Sequence, residues 1–109
     1  IQLSGLLECE EAEKVLAMLR RALTALVNLD RDLAADVCRS DGEINALDDA
    51  NSTLLRDLAA KGDANTRALG LMIELSSDLE RIADHATNIA EDVIFVLEAK
   101  DVRHHHEEG

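Results

Sequence analysis

The chain has 109 residues, which is enough for one domain with a single hydrophobic core. Its formal charge at pH 7 is −12, from 23 acidic and 11 basic residues. This charge opposes binding to the phosphates of nucleic acid or of an anionic membrane surface. Leucine, alanine, isoleucine and valine supply most of the apolar side chains, whereas proline, tryptophan and tyrosine are absent. The composition therefore favours long helices over strands and predicts an all-α protein.

The location of the protein is predicted from the absence of apolar segments. The sequence contains no run of about 18 apolar residues and no basic-then-apolar leader, so neither a membrane span nor a signal peptide is expected. We therefore expect a cytoplasmic protein with no direct membrane insertion. Cys9 and Cys38 fall in separate helical patterns, which predicts small reduced core residues rather than a disulfide or zinc framework.

The first two predicted helices follow each other closely. Apolar residues recur at spacings of three, four and seven over residues 4 to 28, which predicts the first helix. Asp30 is the expected N-cap of a second helix that continues to about Ala60. Inside that helix, Ser40 and Glu43 have capping-box spacing, and Gly42 costs about 1 kcal/mol relative to alanine. A kink or a break in the second helix is left open.

A compact turn separates the second helix from the third. Gly62 has the character of a C′ residue, and Asp63 or Asn65 is the expected N-cap of a helix over residues 66 to 99. The predicted core positions are Leu7, Val15, Met18, Leu19, Ala22, Leu26 and Leu29, then Leu33, Val37, Ile44, Leu47, Leu54, Leu55 and Leu58, and finally Leu69, Met72, Ile73, Leu79, Ile82, Ala83, Ala86, Ile89, Ala90, Val93 and Leu97. Three long amphipathic helices with short turns predict an up-down-up antiparallel bundle over residues 1–103, followed by a polar tail over 104–109.

Two rows of oxygen-bearing side chains lie on neighbouring predicted helices. At 100° per residue, each row occupies one narrow strip of its helix. The rows are Glu80, Asp84, Thr87 and Glu91 on the third helix and Asp41, Asn45, Asp48 and Ser52 on the second. If the rows face each other they could converge on one cation, since hard metal ions prefer several oxygen ligands. The alternative is the solvated face of an acidic helix.

The segment DLERIADHATNIAEDVIFVLEAKDVRH at residues 78–104 resembles the PhoU family of phosphate-uptake regulators, whose last helix carries the pattern ERIGDHATNIAE. The stretches RRALTALVNLDRDLAADV and DGEINAL are also similar to the first and second helices of that family, so the resemblance covers residues 12 to 105. It implies a three-helix-bundle repeat that is most like the C-terminal of two tandem repeats. Such a repeat is either part of a longer chain or pairs with itself to rebuild six helices.

The resemblance also implies a metal site. Family members carry an acidic E/D-x-x-x-D signature on the second and third helices of each repeat, and some of them hold iron, zinc, manganese or magnesium ions there. Glu80 and Asp84 match the signature, while Asp41 and Asn45 occupy it on the second helix. Asn45 stands where a carboxylate is expected, which removes a negative charge and should weaken cation binding. The four residues are the expected metal ligands.

The sequence predicts a binding function rather than an enzyme. Neither cysteine has a histidine at helical contact spacing, no Gly-rich phosphate loop is present, and no Glu-x-x-His pair occurs over residues 1 to 101. The family resemblance implies an adaptor between the ATPase of a phosphate ABC transporter and a sensor histidine kinase. The alternative is a structural or oligomerising helical module without a metal site.

Overall fold

Three α-helices follow one another along the chain: α1 spans Gln2–Asn28, α2 spans Arg31–Lys61 and α3 spans Thr66–Glu108. The structure is a computed structural model that describes the backbone of residues 2–62 and 66–108, and the side chains of residues 10–62 and 67–103. Each helix packs against both others, and the bundle is 68 Å long and 18 Å across. The prediction of an all-α three-helix bundle is confirmed, with no strand in the described ranges.

The sequence signals placed both helix junctions correctly. Asp30 is the N-cap of α2, where its carboxylate Oδ1 accepts a hydrogen bond of 3.1 Å from the Leu33 N–H. Gly62 ends α2 in the left-handed conformation, with φ at 68°, and its N–H donates to the carbonyl of Ala59. A left-handed residue of this kind stops a helix, and glycine adopts the conformation without a Cβ penalty. The proposed N-caps Asp63 and Asn65 lie outside the described residues.

The structure answers one open question about helix boundaries and corrects one expectation. α2 runs without a break through residues 40 to 43, because the Ser40 hydroxyl donates back to the Asp36 carbonyl at 3.0 Å instead of capping a new helix. α3 continues to Glu108 rather than ending near Ala99, and residues 100 to 108 contain no proline or glycine that would stop it. Where the domain itself ends stays a prediction.

The core lies along the bundle axis and consists mainly of small and medium apolar side chains. Its buried members are Val15, Met18, Ala22, Ala25, Ala34, Val37, Ile44, Leu79, Ala83, Ala86, Ala90 and Val93. Alanines at three positions of α3 allow the neighbouring helices to approach closely. Ile73, Leu26 and Leu29 were expected in the core, but their side chains are 56%, 47% and 39% exposed. Ile73 and Leu26 lie at the edges of their apolar stripes, whereas Leu29 follows the end of α1 with φ at 50°. The side chain of Leu7 lies outside the described residues.

A buried polar pair joins α1 to α2. Glu11 and Asn51 are both fully buried, and the Asn51 amide donates a hydrogen bond of 2.6 Å to Glu11 Oε2. Ion pairs lie nearer the surface, among them Arg21 with Asp36 at 2.7 Å. The hydrogen bond between Lys14 and Glu43 raises the pKa of the lysine and lowers the pKa of the carboxyl group. Exposed pairs of this kind contribute little stability, so the buried Glu11–Asn51 contact matters more to the bundle.

The helices show no membrane-spanning character. Throughout the part of the chain that the structure describes, none of them contains a stretch that is both long enough and apolar enough to cross a lipid bilayer.

Candidate functional site

The two predicted oxygen rows meet along the packing line between α2 and α3. The Thr87 hydroxyl of α3 lies 3.5 Å from Asp41 Oδ1 of α2, and it donates a shorter bond of 3.1 Å to the Ala83 carbonyl within its own helix. The contact with Asp41 is therefore weak, but it fixes which faces of the helices are opposed. We call this line the acidic seam, and define it by Asp41, Asn45, Asp48, Glu80, Asp84 and Glu91.

A cleft of about 310 Å³ opens farther along the acidic seam. We call it the α2–α3 cleft; it is lined by Asp48, Ser52, Leu55, Arg56 and Ala59 from α2 and by Ile73, Ser76, Ser77 and Glu80 from α3. As the chain advances from residue 41 to residue 52 on α2, the facing positions on α3 therefore fall from 87 to about 76. This order shows that the two helices are antiparallel at the seam.

The four residues predicted as metal ligands occupy different environments along the seam. Asp41 is half-buried, whereas Asn45, Glu80 and Asp84 are exposed. The Asn45 amide donates to Asp41 Oδ2 at 3.4 Å, so these two side chains are neighbours on α2. Glu80 lies at the α2–α3 cleft, and no hydrogen bond or ion pair joins Asp84 to another described side chain.

The arrangement of donors does not form a metal centre on its own. Among side chains of residues 10–62 and 67–103, no three or more histidine, cysteine, aspartate or glutamate groups are placed to hold a metal ion. Hard cations need several oxygen ligands at one point, so the side chains as they stand do not fit that requirement. Metal binding at Asp41, Asn45, Glu80 and Asp84 stays a prediction that added ions must test.

The pKa of the Cys38 thiol is affected by carboxylates at one end of the acidic seam. Burial raises the pKa of its thiol, and the carboxylates of Glu91 and Asp41 raise it further. Glu91 belongs to α3 and Asp41 to α2, so charges from both helices act on one thiol. Cys38 is a free, partly buried thiol, and the side chain of Cys9 lies outside the described residues.

Sequence reasoning missed three polar residues of the cleft, Arg56, Ser76 and Ser77. Ser76 is only 6% exposed, and its hydroxyl makes no hydrogen bond within the described residues. Oδ1 of Asp48 is likewise buried and without a hydrogen-bond partner there. Ser76 lies seven residues after Leu69 and three before Leu79, which are both buried, so its position in the apolar stripe was the available signal.

Comparison with known proteins decides the family. Residues 9–93 match the model of the PhoU domain. This chain belongs to the PhoU domain family. The resemblance found in the third helix is thereby confirmed, and the acidic seam lies within the matched residues.

Curated relatives of this PhoU domain are named phosphate-specific transport system accessory protein PhoU homologs. One from a Burkholderia species is 37% identical over 92 residues, covering 82% of this chain and 38% of the relative. One from Pseudomonas aeruginosa is 37% identical over 94 residues, covering 84% and 38%. Homolog 2 of Thermotoga maritima is 29% identical over 98 residues, covering 89% and 41%. The chain thus spans about two fifths of the length of these relatives. No solved structure matches it significantly.

Proposed function

We propose that this PhoU domain is a cytoplasmic docking module in the control of phosphate uptake, and that it acts between the ATPase of a phosphate ABC transporter and a sensor histidine kinase. Its relatives are named as accessory proteins of phosphate-specific transport, which supports a role beside the transporter. In this proposal the domain works by binding partners rather than by catalysing a reaction.

The observation that carries this proposal is the acidic seam. Asp41 on α2 lies next to Thr87 on α3, and Glu80 shares the α2–α3 cleft with Asp48, so carboxylates from two helices face one shared surface. A basic patch on a partner would meet several of these charges at once. Complementary charge of this kind sets the orientation of docking and raises the association rate more than it raises total affinity.

Capture by partner fragments tests the proposal. The chain is mixed with cytosolic fragments of the kinase and with the transporter ATPase, as wild type and as a Glu80→Gln, Asp84→Asn variant. The matched control is Glu74→Gln with Asp78→Asn, which removes two exposed carboxylates at the same spacing from another face of α3. We expect the seam variant to lose capture and the control to keep it. Equal capture of all three proteins would contradict the acidic-seam mechanism.

Cation binding is the finer part of the proposal. A divalent or iron cation (Fe, Zn, Mn or Mg) would take the carboxylates of Asp41, Glu80 and Asp84 and the amide oxygen of Asn45 as donors. Such an ion would neutralise the repulsion within the seam and present positive charge to an acidic partner. Docking to a basic partner does not require the cation, because the acidic seam without an ion already carries negative charge.

A second candidate function is self-association through α1, as in an oligomerising helical module. Leu16, Leu23 and Val27 lie on the side of α1 that faces away from the core, and they are 46%, 45% and 80% exposed. Leu26 flanks them at 47%. An apolar stripe on a helix is a usual contact surface for a second helix, and the exposed Arg20 interrupts this one between Leu16 and Leu23. A second copy of the chain would bury this stripe.

The mass of the protein in solution tests self-association. Light scattering over a range of concentrations should show a dimer for the wild type and a monomer for Leu23→Gln with Val27→Gln. The control is Phe95→Gln, which removes a 70% exposed apolar side chain from α3 and should leave the dimer intact. A wild-type monomer at all concentrations would exclude this candidate.

A further inference from the structure

The α2–α3 cleft contains buried polar atoms that lack hydrogen bonds. The Ser76 hydroxyl and Asp48 Oδ1 are both buried, and neither has a hydrogen-bond partner in the described part of the chain. Ser76 is only 6% exposed to solvent, and it lines the cleft. Most buried polar groups in folded proteins are satisfied, and a ligand in the cleft that supplies donors would satisfy these two atoms together.

The charges at the cleft define what that ligand can be. Asp48 and Glu80 contribute two negative charges and Arg56 contributes one positive charge, so the cleft carries a formal charge of about minus one. None of the three forms an ion pair with another described residue. An anion would be repelled by two carboxylates, and a divalent cation would be left with an excess positive charge. A monovalent cation balances the cleft.

The shape and walls of the cleft favour an organic cation on an aliphatic stem. Leu55 and Ile73 supply apolar lining, and Ile73 is an exposed side chain that gains burial when something enters. A hydrated metal ion would gain nothing from such walls. The volume of about 310 Å³ is at the small end of ligand pockets, which suits one side chain better than a large cofactor.

We propose that the α2–α3 cleft binds a single arginine side chain presented by a protein partner. The guanidinium carries five donors in a planar fork, which can satisfy the Asp48 carboxylate and the Ser76 hydroxyl together, while its aliphatic stem packs on Ile73. Lysine would bring a more strongly hydrated point charge with three donors and is the weaker fit. The inference rests on the proposed docking function and names the group that the partner must supply.

A peptide titration tests this inference without the partner proteins. The ¹⁵N-labelled chain is titrated at low salt with acetyl-Gly-Arg-Gly-amide, and in parallel with the peptide in which uncharged citrulline replaces arginine. We expect backbone amide shifts concentrated at Ile73, Ser76 and Ser77, and about tenfold tighter binding of the arginine peptide. Shifts spread evenly over the acidic surface, or equal binding of the citrulline peptide, would overturn the proposal.

Two cleft variants that should change affinity in opposite directions, with one control variant, sharpen the test. Asp48→Asn should weaken the arginine peptide about tenfold, whereas Arg56→Gln should tighten it severalfold by removing a like charge. Glu74→Gln, outside the cleft, should change nothing. Thermal melts confirm that each variant is folded, and the tightening by Arg56→Gln cannot arise from unfolding. An unchanged affinity in both cleft variants would overturn the proposal.

Two further measurements distinguish the arginine site from a metal site at the cleft and from the proposed docking function. Added Mn²⁺ should not displace the arginine peptide; displacement, with amide signals broadened selectively at Ser76 and Ser77, would make the cleft a metal site and overturn the proposal. If the peptide binds the cleft but kinase and ATPase fragments are not captured, the proposed function fails while the arginine site stands. If the partners are captured equally by wild type and Asp48→Asn and the peptide does not bind, the arginine site fails alone.

Discussion

Replacing Asn51 by leucine should destabilise the bundle although it adds apolar surface to the core. The Asn51 amide is 2.6 Å from Glu11 Oε2, and both residues are fully buried. Leucine has the same number of side-chain heavy atoms, branched at the same carbon, but no donor, so the Glu11 carboxyl group loses this hydrogen bond in the interior. Loss of one partner of a buried polar pair costs about 1–3 kcal/mol. Oδ1 of Asn51 has no hydrogen-bond partner among the described residues, so its removal offsets part of that cost.

We therefore expect Asn51→Leu to lower the free energy of unfolding by about 2 kcal/mol, and to lower Tm by on the order of 10 °C in a domain of this size. Urea denaturation followed by circular dichroism measures the first quantity. The double variant Glu11→Leu with Asn51→Leu should be less destabilised than the sum of the two single variants, since the Glu11–Asn51 hydrogen bond is then lost only once. Asn45→Leu, at an exposed position of the same helix, should change stability by less than about 0.5 kcal/mol. Strict additivity, or an Asn51→Leu protein as stable as wild type, would refute the reasoning.

Three other predictions concern the helix junctions, the Cys38 thiol and cation binding. Asp30→Ala should cost about 1 kcal/mol of unfolding free energy by removing the cap of α2, and Gly62→Ala a similar amount because its φ is 68°; urea melts showing no change would contradict both roles. In a Cys9→Ser background, alkylation of Cys38 should begin only at a pH above that of a free cysteine, since its pKa is raised. Asp41→Asn should move that onset to lower pH, because it removes a negative charge, and an unmoved onset would place Asp41 away from the thiol. Finally, Mn²⁺, Fe²⁺, Zn²⁺ or Mg²⁺ at one hundred times its Kd should stabilise the fold by about 2.7 kcal/mol if the seam binds it, and Asp84→Asn should abolish that shift; no shift with any ion would exclude metal binding.

Helix number, order and junctions could be predicted from the sequence because they depend on local signals. The apolar periodicity, the Asp30 cap and the left-handed Gly62 each act within a few residues. The continuous α2 shows the limit of such signals, because the capping-box spacing of Ser40 and Glu43 left a break open. Ser40 has an alternative within the helix, since its hydroxyl also accepts a bond of 2.8 Å from Arg21 of α1, and this tertiary contact favours the continuous helix.

The polar interior was harder to predict because it depends on partners that are distant in sequence. Glu11 lies four residues before Val15, and Asn51 lies four before Leu55, so both occupy core positions of their stripes. Periodicity alone predicts an apolar side chain at such a position. The hydrogen bond between Asn51 and Glu11, which are 40 residues apart in sequence, could not be predicted from it. The sequence was enough to propose that the two oxygen-bearing rows face each other, because each row occupies one strip of its helix. It could not show that Asp41 lies next to Thr87, since that contact depends on how the helices pack.

The most direct test of the central claim is the Kd of the kinase cytosolic fragment for this domain, measured by calorimetry at low salt. The claim is that carboxylates contributed jointly by α2 and α3 form the docking surface. It predicts that Asp41→Asn on α2 and Glu80→Gln on α3 each weaken binding, together by on the order of tenfold, while Glu74→Gln with Asp78→Asn stays close to wild type. Equal dissociation constants for the seam variants and the wild type would contradict the account.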